Sequence, residues 1–153
     1  MNRNLTVAMA AAFVMSGGAQ AQDVNIGRSS ITLKSDLMTP EALWAMGRIG
    51  AAQASPDGRR IVYQVGYYSV KENKGHQVLR IMDADGRNDR LLTTSAANES
   101  DAAWLDNNTL AFLTGGQLWT MKADGTDRRQ LTRSDIDIEG FRFSPDRRRV
   151  VLI

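Results

Sequence analysis

The sequence predicts an all-β chain: a partial β-propeller of about two and a half four-stranded antiparallel blades, preceded by one short helix. Three observations carry this. Leu79 to Thr93 and Leu118 to Thr132 are near-copies thirty-nine positions apart, sharing Leu, Met, Ala, Asp, Gly, Arg, Leu and Thr in register. Each copy follows a turn-and-strand element: Ser55-Pro56-Asp57-Gly58 before Ile61-Val62-Tyr63, then Asp106-Asn107-Asn108 before Leu110-Ala111-Phe112-Leu113. A third such element, Ser144-Pro145-Asp146 before Val150-Val151-Leu152-Ile153, opens a further repeat. A period near forty with short apolar strands between aspartate and glycine turns is the signature of propeller blades.

The chain begins with a segment that is set aside from the fold. Arg3 gives a positive start, Leu5 to Met15 is apolar, Ser16-Gly17-Gly18 breaks it, and Ala19-Gln20-Ala21 supplies small residues. This reads as a secretory signal over 1–21 with cleavage after Ala21, too short for a bilayer-spanning anchor. The mature chain is expected to be secreted or periplasmic, without a stable membrane anchor. There is no cysteine, which excludes a thiol nucleophile, a zinc–thiolate site and disulfides. A formal net charge of +2 gives no support for a nucleic-acid partner.

Residues 22–50 read as a lead-in, with a short strand at Ile31-Thr32-Leu33 and a helix over about 40–48. Thr39 can cap that helix, Pro40 suits its first position and Glu41 complements the dipole. Leu43, Trp44, Met46 and Ile49 form its apolar side, and Gly47 and Gly50 limit its length. Residues 51–153 are the incomplete propeller, with blades at about 51–93, 101–132 and 138–153.

In the first blade, serine, proline, aspartate and glycine stand where a type I turn wants them. Strands follow at Ile61–Val65, Gln77–Asp83 and Arg90–Thr93, with Lys71 to His76 as a polar connection and Asp85-Gly86 as a hairpin turn. The second blade repeats this with strands at Asp101–Leu105, Thr109–Thr114, Gln117–Lys122 and Arg129–Thr132, joined by Gly115-Gly116 and Asp124-Gly125. Ile138 to Phe143 and Arg149 to Ile153 start a third. Two and a half blades cannot close a ring, so the chain is expected to be the amino-terminal part of a larger protein.

No catalytic, cofactor-binding or metal-binding residue is assigned, and no cofactor is expected. The single histidine, His76, reads as a solvated loop residue, and Gly27-Arg28-Ser29-Ser30-Ile31 lacks the second glycine of a nucleophile elbow. Asp135, Asp137 and Glu139 would share one face of a strand, but read as a solvated segment between blades. Asp83-Ala84-Asp85-Gly86 lacks the later glutamate of a calcium loop. Arg128-Arg129 and Arg147-Arg148-Arg149 read as solvated turn charges. Asn98-Glu99-Ser100 formally matches a glycosylation acceptor without consequence in a bacterial-looking exported chain. Trp104, Trp119 and Phe143 recur at strand positions and read as packing between blades.

Asp36-Leu37-Met38-Thr39-Pro40-Glu41-Ala42-Leu43-Trp44, Arg48-Ile49-Gly50 and Ala54 to Tyr63 together resemble the opening of exported bacterial serine peptidases of the prolyl oligopeptidase family. The dipeptidyl peptidase 5-like branch, close to acylaminoacyl peptidases, is the most similar. The resemblance implies an amino-terminal propeller that restricts access to short peptides, and a carboxy-terminal α/β-hydrolase domain carrying serine, aspartate and histidine. It therefore implies two partners, that hydrolase domain and short peptide substrates, and a non-catalytic gating role for these residues. None of the triad positions falls in this chain. The alternative is a TolB-like periplasmic propeller, an interaction scaffold with no enzyme. Such proteins place a small α/β domain before the propeller, whereas here only a short helix precedes it. A third option is a lone partial propeller completed by oligomerisation.

Overall fold

The computed structural model describes residues 26–28, 31, 32 and 36–153. The expected signal peptide lies outside the described residues, as does Leu33. Ile31 and Thr32 are not in a strand. Helix α1 spans Pro40–Ala45, capped by the Thr39 hydroxyl, which accepts from the Ala42 N–H at 3.2 Å. It stops sooner than the expected 48, because Arg48 already belongs to a strand. Gly47 explains the early exit. A Cβ there would lie 2.9 Å from Tyr67 and 3.0 Å from Val65, so the chain passes close over the sheet.

Blade one is an antiparallel sheet ordered β1 (Arg48–Ala54), β2 (Arg60–Ser69), β3 (Lys74–Asp83), β4 (Arg90–Leu91). Blade two repeats the order with β5 (Glu99–Trp104), β6 (Thr109–Thr114), β7 (Gln117–Lys122) and β8 (Arg129–Gln130). A two-stranded sheet, β9 (Phe141–Phe143) and β10 (Val150–Leu152), begins the third. The partial propeller is therefore present, and it forms no closed barrel. One stretch differs from expectation. Of the polar run Lys71 to His76, Lys71–Asn73 form the turn, but Lys74–His76 are already strand, since β2 and β3 pair from Arg60↔Asp83 out to Ser69↔Lys74. The β2–β3 ladder, carried on through Tyr67↔His76 and Tyr68↔Gly75, overrides the polar local sequence.

The turns follow their chemistry closely. The Gly58 N–H donates to the Ser55 carbonyl at 2.8 Å, and the Arg147 N–H donates to Ser144 at the same distance. In each turn the serine hydroxyl donates to the aspartate two residues on, at 2.5 Å. That bond and a following backbone N–H hold the Asp57 and Asp146 carboxyls below the usual range. Gly58 takes φ +68°, and Arg147 takes φ +57° at the matching position without glycine's freedom. Gly115 and Gly116 both have positive φ, the condition of a two-residue mirror-image turn.

The core lies between blades. Val62, Leu79, Ile81 and Leu92 of blade one pack against Trp104, Leu110, Phe112 and Met121 of blade two. The opposite face of blade two, Ala111, Leu113 and Leu118, packs against Ile138 and Phe141. Strand β6 thus sends alternate side chains to two different neighbours, as the two-residue period of a strand requires. Each large side chain so buried contributes roughly 1.5–3 kcal/mol. The packing expected of Trp104, Trp119 and Phe143 is what the structure shows.

A polar bridge within blade two reaches back to the link from blade one, and it corrects the reading of Arg128 as a solvated turn charge. The Arg128 guanidinium lies 5.0 Å from the Phe112 ring centroid and 5.3 Å from that of Trp119. It ends on the Glu99 carboxylate at 2.6 Å, whose side chain is only 2% exposed. The second Glu99 oxygen accepts from the Thr93 hydroxyl, in the link between blades. Arg129 does match expectation, pairing with Asp127 in solvent.

Two predictions follow from this packing. Gly86 and Gly125 occupy the same repeat position with φ +85° and +90°, but only Gly125 would drive a Cβ to 2.4 Å from the Leu92 carbonyl oxygen. Alanine at Gly86 should cost about 1–2 kcal/mol from backbone conformation alone. Alanine at Gly125 should cost about 1–3 kcal/mol more, measured by denaturant unfolding, because the blades must separate. Arg128→Met strands a buried carboxylate and should cost about 3 kcal/mol or more. The double variant Arg128→Met with Glu99→Gln should recover part of that loss.

Candidate functional site

Strands β1, β5 and β9 each stand first in their sheet, hydrogen-bonded on one side only. Together they line a groove of about 490 Å³, to which Gln53, Asp101, Trp104, Phe143, Ser144 and Arg147 contribute. Both β1 and β5 lose register along it, between Ile49 and Ala52 and between Ser100 and Ala103. Such bulges bend a strand and re-aim its side chains. At the second, Asp101 takes φ +51°. Trp104 closes the floor between two blades: its indole N–H donates to the Gln53 carbonyl at 3.1 Å, and the Arg60 guanidinium sits 5.4 Å from its ring centroid.

A second cavity, about 480 Å³, lies against α1 and is lined by Ile31, Pro40, Trp44, Tyr68 and Val70. The Trp44 and Tyr68 rings are 4.9 Å apart, and Arg48 lies 4.7 Å from the Trp44 centroid. Leu37, Met38, Leu43, Met46 and Ile49 around it are all exposed. This surface is apolar well beyond what a solvated six-residue helix needs.

His76 corrects the sequence reading. It lies in β3 and is buried, with 7% of its surface exposed. Its Nδ1–H donates to the Ile26 carbonyl at 2.8 Å, and Nε2 has no partner among the described residues. Neither ring nitrogen meets a serine or a carboxylate there, so the nucleophile–base pair of a hydrolytic triad is not assembled around it. Asp135, Asp137 and Glu139 lie in irregular backbone before β9, not along a strand. The Asp137 side chain packs against Gly116, and no group of three potential ligands is placed to hold a metal among the described residues. The Asn98 side chain accepts from the Gln77 N–H at 2.9 Å and so belongs to the blade junction. Among the described residues no helix is long and apolar enough to cross a membrane.

Sequence reading missed Asp101 and Arg142, which line the inner groove, and the Thr93–Glu99–Arg128 bridge. No local pattern marks them. Their roles come from contacts between residues far apart in the chain.

No protein-family model matches the chain. A curated relative from Porphyromonas endodontalis, named dipeptidyl-peptidase 5, is 36% identical over 125 residues, which is 78% of this chain and 18% of that protein. Another of the same name, from Porphyromonas gingivalis, is 36% identical over 156 residues, 99% of this chain and 22% of that protein. Among solved structures, the apo form of AtxE2 isopeptidase matches with a TM-score of 0.57 at 18% identity, over 71% of this chain and 22% of that one, which speaks to the fold alone. Blade order, turn chemistry and these relatives agree: the chain is a segment of a dipeptidyl-peptidase 5-like peptidase, spanning about a fifth of the length of the curated relatives it matches.

Proposed function

We propose that these residues form the non-catalytic gating part of an exported serine peptidase that releases dipeptides or processes oligopeptides. The observation that carries this reading is the 36% identity, over 78% and 99% of the chain, to two proteins named dipeptidyl-peptidase 5. The isolation of His76 from any serine among the described residues supports placing the serine, aspartate and histidine elsewhere in the parent. The role is then steric. A ring of blades admits an extended, flexible peptide and excludes a folded protein, whose rigid cross-section is far larger.

The exposed apolar surface around α1 supports the presence of a further covering element in the parent, for which an α/β-hydrolase domain is the proposal. Export is proposed from the apolar run Leu5 to Met15 and the Ala19-Gln20-Ala21 site. Mass spectrometry of secreted material should then find Gln22 at the new amino terminus.

The test compares this chain with the full-length parent on chromogenic dipeptide substrates. The parent should cleave them, with activity abolished by a serine-directed inhibitor, and the 153-residue chain should show none. Inhibitor-sensitive hydrolysis by the short chain alone would overturn the non-catalytic reading.

A further inference from the structure

The inner groove carries charges that the fold itself leaves unbalanced. Asp101, Arg142 and Arg147 all line it and are all exposed. Among the described residues none of the three has an opposite charge within salt-bridge distance. Where charges of opposite sign do meet in this chain they pair closely, as Arg80 does with Asp89 at 2.7 Å and Arg87 with Asp85 at 2.6 Å; in the groove both signs share one wall without such a pairing. Arg142 donates one N–H to the Phe141 carbonyl at 2.7 Å, which orients the guanidinium and leaves its other donors available.

Backbone conformation adds an independent mark. Asp101 and Arg147 both lie in the left-handed region, at φ +51° and +57°. The two earlier counterparts of the Arg147 turn show that its conformation does not require arginine. Gly58 fills the position in blade one, and blade two closes the corresponding loop with only three residues between Leu105 and Thr109. Non-glycine residues held there concentrate where a ligand is handled. Among the described residues, two of the five non-glycine residues in that region line one groove.

A ligand that satisfies one carboxylate and two guanidinium groups carries both signs of charge. The groove, at about 490 Å³, is of small-ligand size. Two extended residues span about 7 Å. Free strand edges beside the groove can also hydrogen-bond an extended main chain. We propose that this groove holds a short zwitterionic peptide of dipeptide size, its ammonium toward Asp101 and its carboxylate toward Arg142 and Arg147. On the peptidase reading, on which this inference rests, such a peptide is the product, and the groove is a station on its way out. A longer oligopeptide substrate carries the same two end charges farther apart, so the site distinguishes product from substrate by their spacing.

Calorimetric titration of the whole chain with alanyl-alanine tests this, with N-acetyl-alanyl-alanine amide as the uncharged comparison. The free dipeptide should bind at least ten-fold more tightly than the blocked one. Asp101→Asn and Arg142→Gln should each weaken it roughly ten-fold, the loss expected for one charge-assisted hydrogen bond. Both side chains are exposed and asparagine tolerates the left-handed region, so unchanged melting curves should accompany the loss. Equal affinity for the two peptides, unaltered affinity in both variants, or no binding overturns the proposal. Dipeptidyl-peptidase activity in the parent without dipeptide binding here removes this inference alone. Binding here beside an inactive parent removes the peptidase reading alone.

Discussion

The stacking of sheet face on sheet face is the constraint from which the rest of this structure follows. Neither blade has a core of its own. Strand β6 makes this plain: Leu110 and Phe112 belong to the cluster shared with blade one, while Ala111 and Leu113 belong to the cluster shared with β9. A single blade in water would leave both sets exposed. Repeats of this kind are stable only through their neighbours, so the interface between blades sets the energetics. Even the turns take part, since Arg60 bonds across to Asn107 and Asn108, and Arg90 to the Ala123 carbonyl at 2.8 Å.

Comparing the two blades shows how environment selects side chains at fixed repeat positions. Tyr63, Arg80 and Asp89 of blade one are placed as Phe112, Trp119 and Arg128 are in blade two. In blade one the trio is polar: the Tyr63 hydroxyl donates to Asp89 at 2.6 Å, and Arg80 grips both carboxylate oxygens. Partial burial raises the Tyr63 hydroxyl's pKa, and the Arg80 contact lowers that of Asp89. In blade two the same face meets another blade, and two aromatic rings with a cation over them replace the polar trio. Leu92 and Leu131 make the reverse point. The same residue at the same repeat position is 4% exposed in one blade and 52% in the other: the Gly125 turn presses on Leu92, and among the described residues no such turn lies over Leu131.

The functional reading grows from the same geometry. Inner strands have one free edge because the sheet order begins with them, and those edges gather at a common groove. Closing it off from bulk solvent is a matter of blade number, while its charge is decided by three residues that no repeat fixes. The proposed gate and the proposed dipeptide site are therefore separable readings of one wall. In the proposed function size exclusion rests on the ring, and in the proposed dipeptide site selectivity for termini rests on Asp101, Arg142 and Arg147.

The sequence by itself determined the strand order, the turn types and the period. These rest on local chemistry: serine, proline, aspartate and glycine impose the same hydrogen bonds wherever they recur. It also marked Trp104, Trp119 and Phe143 as packing residues, because aromatic recurrence at strand positions reflects the blade interface. Only the tertiary structure decided the fate of isolated polar residues. His76 looked like loop because its neighbours are polar, yet pairing with β2 carried it into a buried strand. Arg128 looked like a solvated turn charge, yet the other strands of its own blade bring two rings and Glu99 within its reach. Burial and charge pairing depend on residues tens of positions away, and local pattern holds no record of them.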